Sequence, residues 1–145
     1  MKKYLSKIIA NDNEGLQMIS ACCAGAELQV AGIKYLQKSK VFLLSLVRSK
    51  IETENDNKKV NSICKFEFVD NVKSKNINQD DPNQKLQLLT MDYLKNKGNY
   101  EINLIFANLE KKDKNAYIAL SSEIIDVSLE DQQKELYERF QDEDY

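Results

Sequence analysis

Along most of this chain apolar residues recur at every second position, and polar loops cut the recurrence into segments of strand length. Residues 4–10 predict a short first strand. Asp12 and its neighbours 11–14 offer N-caps and early negative charge, after which Leu16, Ile19 and Cys23 fall at i, i+3 and i+7 and Gly25 supplies a stop. That spacing predicts a short amphipathic helix. Leu28, Val30 and residues 33–36 predict a strand with an irregularity at Gly32, and residues 38–40 turn it into a second strand over 41–48.

Residues 52–59 are charged or amide-bearing and predict a solvated loop. Ile63, Cys64, Phe66, Phe68 and Val72, separated by Lys65, Glu67 and Asp70, predict one long, bent strand with a wet face. Residues 76–85 are polar, hold the only proline, Pro82, and predict a second exposed loop. Residues 86–94 carry apolar groups on both faces, which predicts a central strand and leaves a helix as the competing reading. Gly98 lies in the turn 95–99 that leads into 100–107, where Ile102, Leu104 and Phe106 share a face. A charged tip at 111–115 precedes two last strands, 117–120 and 124–129. The period then changes: Ser128 as a cap, Asp131 three residues on, and Leu129, Leu136, Tyr137 and Phe140 on one face predict a C-terminal helix.

These elements imply an α+β fold: a mainly antiparallel, twisted sheet or partly closed barrel of six to eight strands, with a short helix after the first strand and another at the C-terminus. A pleckstrin-homology-like barrel is the alternative. One globular domain over residues 1–140 with a frayed tail at 141–145 fits the length.

Composition narrows the chemistry. The chain has no histidine, the usual acid, base and metal ligand near neutral pH, so most familiar catalytic constellations lack a member. Twenty-one basic and 23 acidic residues leave a net charge of -2, without the positive field that nucleic-acid binding needs. Apolar runs such as 41–47 and 102–107 are too short to span a membrane, and the polar run 11–14 interrupts any signal-peptide pattern. Three cysteines, two of them adjacent, make a poor disulfide framework and point to the cytoplasm.

Cys22, Cys23 and Cys64 fall short of the four ligands of a structural zinc site, and burial as small apolar residues is the plainer reading. Asp12, Glu14, Glu27, Glu67, Asp70, Asp92, Glu101, Glu123 and Asp126 read as solvated strand faces; any two across a cleft would suit glycoside chemistry or magnesium. No GxGxxG, Walker or GxSxG pattern occurs. Lys73 with Lys75, and Arg48 with Lys50, share sides of strands, where they suit a phosphate or acidic partner or deter edge pairing. Tyr93, Tyr100 and Tyr117 belong to neighbouring strands and finish the core or line a pocket.

The order of segments carries a resemblance. Ile9-Ala10, residues 14–21, Val30 through Ile33-Lys34-Tyr35-Leu36, and 40–46 with Arg48 are followed by Phe66-Glu67, Val69 and Val72-Lys73-Ser74-Lys75. Leu86-Gln87-Leu88-Leu89, Ile102 to Ala107 and residues 118–131 complete the series. In this order the chain resembles the alphaproteobacterial domain of unknown function 2948 over nearly its whole length. It departs where the family pattern favours proline and this chain has Gln37, and at Val47-Arg48-Ser49, where only Arg48 matches. The resemblance implies an uncharacterised bacterial cytosolic protein and no transferable activity.

The expected function is a non-catalytic protein-interaction or self-assembly module, with Arg48, Lys73, Lys75, Leu136, Tyr137 and Phe140 as candidate contact residues. The alternative is a small-ligand-binding protein or an enzyme that uses carboxylates and Lys/Arg in a pocket of the curled sheet. No catalytic residue, metal ligand or cofactor is assigned, and the expected partner is another protein or a second copy.

Overall fold

A computed structural model describes residues 7–49, 59–111 and 113–132. Their order is β1 (Lys7–Ala10), α1 (Asn13–Cys23), β2 (Glu27–Gln29), a 3₁₀ turn (Val30–Gly32), β3 (Ile33–Leu36), β4 (Val41–Ser49) and β5 (Lys59–Phe66). β6 (Val69–Lys75), β7 (Lys85–Asn96), β8 (Asn99–Asn108), β9 (Ala116–Ser122) and β10 (Val127–Asp131) follow. All pairings are antiparallel, in the order β1-β10-β5-β4-β2-β7-β8-β9-β6, with β3 also on β4. The described sheet does not close into a barrel.

Ten strands replace the six to eight expected, because two segments read as single strands are each broken. The 3₁₀ turn at Val30–Gly32 divides β2 from β3. Phe68, in the left-handed region at φ 60°, divides β5 from β6. Both breaks shift the phase of burial, from Leu28 and Val30 to Ile33 and Tyr35 and from Phe66 to Val69, while Phe68 keeps the apolar spacing of the sequence and turns outward.

The expected C-terminal helix is corrected at its start. Ser128 and Asp131 belong to β10, where Val127, Leu129 and Asp131 continue the alternation inward. Leu136, Tyr137, Phe140 and the tail 141–145 lie outside the described residues, as do residues 4–6 of the predicted first strand, Lys50 and residues 52–58 of the predicted loop.

α1 forms as predicted. The Asp12 carboxylate accepts the Gly15 amide at 2.8 Å, and Leu16, Ile19 and Cys23 are buried. Ser20 Oγ accepts the Met91 amide at 2.9 Å, which anchors the helix to β7. β7 lies between β2 and β8, and so is the internal strand its two apolar faces predict, with a register shift at Leu89.

The core gathers inward residues of both halves of the sheet, among them Phe42, Leu44, Leu46, Cys64 and Phe66 with Leu88, Met91, Leu104 and Phe106. Phe42 and Phe66 meet edge to face at 5.9 Å. β5–β6 and β9–β10 form one two-stranded ribbon bent at a corner: Phe66 pairs with Val127 on one side of it and Val69 with Ser122 on the other. The bend carries the ribbon from one half of the sheet to the other.

Gly32 lies against β4, and a Cβ there would stand 2.8 Å from the Ser45 carbonyl oxygen. Gly32→Ala is expected to cost about 1–3 kcal/mol through this backbone clash. The measurement is the urea unfolding midpoint.

Candidate functional site

β3 pairs only with β4 and β6 only with β9 among the described residues, so each presents one unpaired edge. At one end the two strands are tied together. The Tyr35 hydroxyl donates to the Val69 carbonyl at 2.8 Å, the Val69 amide donates to the Lys40 carbonyl at 2.8 Å, and Lys40 Nζ meets Asp70 at 2.9 Å. Hydrogen bonding and the charge of Asp70 hold the Lys40 ammonium pKa above its ordinary value.

At the other end the loop 76–84 is fastened to the 3₁₀ turn. The Val30 amide donates to Gln84 O at 3.0 Å and the Ala31 amide to Pro82 O at 2.9 Å. Gln84 is itself buried, and its side-chain oxygen accepts the Asn78 amide at 3.1 Å.

Two strand edges and two clamps thus frame a window into the core, with a cavity of about 310 Å³ behind it. Phe42 and Ile118 floor the cavity; Ile33, Tyr35 and Val72 form walls; Ile77 and Pro82 form a lip. Ser74 and Gln79 supply polar groups at the opening. No carboxylate, lysine or arginine is among the residues that line the cavity.

The residues singled out from the sequence lie elsewhere. Arg48 is buried, not presented at the surface, and its Nη2 meets Asp131 Oδ1 at 2.9 Å and Oδ2 at 3.1 Å. Arg48 Nε also donates to Ser62 Oγ at 3.1 Å, and Ser62 Oγ donates to Asp131 Oδ1 at 2.7 Å. Asp131, read from the sequence as part of a helix start, is the missed partner; its place in the Val127, Leu129, Asp131 alternation was the available signal. Lys73 and Lys75 are exposed on β6 and border an outward trough with Asp92 and Tyr117.

Tyr93 and Tyr100 pack against the core with ring centroids 5.9 Å apart, whereas Tyr117 points outward. Cys22, Cys23 and Cys64 are buried. Hydrogen bonding with Cys23, then burial, pushes the Cys64 thiol well above its ordinary pKa. Several of the carboxylates, including Glu27, Asp70, Asp92 and Glu123, are exposed on strands or links and do not converge on the cavity.

A family profile described as "Protein of unknown function (DUF2948)" matches residues 6–142. The chain belongs to this family. No curated protein and no solved structure matches it. DUF2948 membership therefore brings no chemistry with it, and the geometry must supply the functional argument.

Removing one partner of the buried pair leaves a charge without its counter-ion. Asp131→Ala is expected to lower stability by about 3–5 kcal/mol in urea titrations, whereas Arg48→Met combined with Asp131→Leu recovers most of the loss. The three thiols are expected to ignore Ellman's reagent in the native protein and to react at the rate of unfolding.

Proposed function

We propose that this DUF2948 protein is a non-catalytic binding module whose site is the window between β3 and β6, and that it takes a small, uncharged, largely apolar group. The carrying observation is the lining: a cavity of about 310 Å³ with a largely apolar lining and no carboxylate, lysine or arginine. Pockets of that size with a few polar groups at the mouth suit small ligands. A charged substrate would be desolvated there without a partner, at a cost of several kcal/mol. The enzyme form, which needs carboxylates with lysine or arginine in one pocket, finds no such set around this cavity.

A protein-interaction reading draws on a different place. Phe68 is 49% exposed and Ile124 is 47% exposed, and both lie at the bend of the ribbon. An exposed aromatic ring held in left-handed backbone is a candidate anchor for a partner protein.

The window is tested with the neutral fluorophore N-phenyl-1-naphthylamine. Saturable one-to-one fluorescence enhancement is expected, weakened at least about tenfold by Val72→Trp, which fills the opening. Absence of saturable binding, or equal binding by Val72→Trp, overturns the proposal.

A further inference from the structure

The outward face of β6 to β9 carries side chains that the window leaves unused, and strand pairing sets them in two rows. Lys75 stands beside Tyr117, and Tyr117 beside Ile105. One step along, Lys73 stands beside Ala119, Ala119 beside Asn103, and Asn103 beside Asp92. The residues between them in the chain, Ile118, Leu104 and Met91, belong to the core, and Val72 and Ser74 line the window, so both rows face away from it. A trough of about 330 Å³ runs over the rows, where Ala119 offers only a methyl group between Lys73 and Asn103.

We infer that this trough is a site for a nucleoside monophosphate whose base carries an amino group, adenine or cytosine. Lys73 and Lys75 stand about 7 Å apart along β6, where two ammonium groups can share one phosphate. Tyr117, 41% exposed, is the one exposed aromatic ring on these four strands, and it offers the base a face to stack on. Asn103 and Asp92 lie two and three strands from Lys73, about 10 and 14 Å across, which matches the reach from a 5′-phosphate to the polar edge of its base. A carboxylate accepts from an exocyclic amino group, and an amide pairs with that group and the adjacent ring nitrogen.

These polar groups are open to a ligand. Lys7, Lys40 and Lys65 each meet a carboxylate at 2.9–3.8 Å, whereas the side chains of Lys73, Lys75, Asn103 and Asp92 have no hydrogen-bond or ion-pair partner among the described residues. Protection of the β6 edge accounts for the two lysines but not for the open Asn103 and Asp92 across the trough or for the exposed ring beside them. A single nucleotide fits better than a strand: successive bases stack on successive aromatic rings, of which this face has one, and a net charge of -2 gives no field for a polyanion. Lys73, Lys75 and Tyr117 take no part in lining the window, so the two sites are independent.

Titration of the full chain with adenosine 5′-monophosphate, followed by amide chemical shifts in NMR spectra, tests the inference. Saturable shifts in β6, β8 and β9 are expected, with a dissociation constant below about 1 mM. Inorganic phosphate and adenosine are each expected to bind at least about tenfold more weakly, and inosine 5′-monophosphate, with an oxo group in place of the amino group, at least about fivefold more weakly. Tyr117→Ser, and Lys73→Gln combined with Lys75→Gln, change exposed side chains and are each expected to weaken binding at least about tenfold while leaving the window's fluorophore binding unchanged. Absence of saturable shifts in the unmodified chain overturns the inference. So does equal binding of inorganic phosphate, equal binding by Tyr117→Ser, or binding of an oligonucleotide without binding of the monophosphate.

Discussion

Between Phe66 and Val69 the chain crosses from one half of the sheet to the other, and the whole arrangement around the window depends on this reversal. Phe68 adopts a left-handed backbone that costs a residue with a Cβ about 1–2 kcal/mol. The surroundings hold it there: the Glu67 amide donates to Asp126 O at 2.9 Å and the Val69 amide to Lys40 O at 2.8 Å. β9 and β10 make the same crossing alongside, and the Ser122 hydroxyl donates to the Ile124 carbonyl within that link. A straight continuation of β5 would leave β6 beside β10, and neither the clamp at Tyr35 nor the cavity behind it would exist.

Much of the secondary structure was legible in the sequence because apolar alternation reports directly on which side of a strand meets the core. α1 was legible from Asp12 and the spacing of Leu16, Ile19 and Cys23. The 3₁₀ turn was legible only as the irregularity at Gly32, and the Phe68 reversal was not, since Phe68 continues the apolar spacing after Phe66 and the change lies in its backbone torsion. The window was illegible for a related reason. Ile33, Tyr35, Val72 and Pro82 read as ordinary core or loop residues, and their convergence follows from pairing partners far apart in the chain. Arg48 was noticed for its charge, but its burial depends on Asp131, 83 positions away.

The buried Arg48–Asp131 pair has a structural logic that a surface ion pair would lack. It ties the end of β4 to the last residue of β10 through Ser62 of β5, which lies between those two strands. Apolar neighbours such as Leu46 and Cys64 would tolerate exchange for similar residues. A register slip of one position would turn Arg48 outward and leave Asp131 buried without its counter-ion, so the pair penalises misaligned strands more than it rewards the correct one. Specificity of register, more than net stability, is the role this geometry supports.

Unpaired strand edges usually invite another strand, yet the two edges at the window are poorly suited to receive one. β6 carries Lys73 and Lys75, whose charges oppose edge-to-edge association. β3 has only four residues, and its window is shut at one end by Val69 and Lys40 and at the other by Pro82 and Ala31. An extended chain cannot run through an opening closed at both ends, whereas a compact group can enter it from the front. The same clamps hold β3 and β6 apart, so the opening is framed by backbone hydrogen bonds. Framing and absence of charge agree: the opening is limited in size and carries no charged side chain, and both properties belong to the backbone and lining themselves.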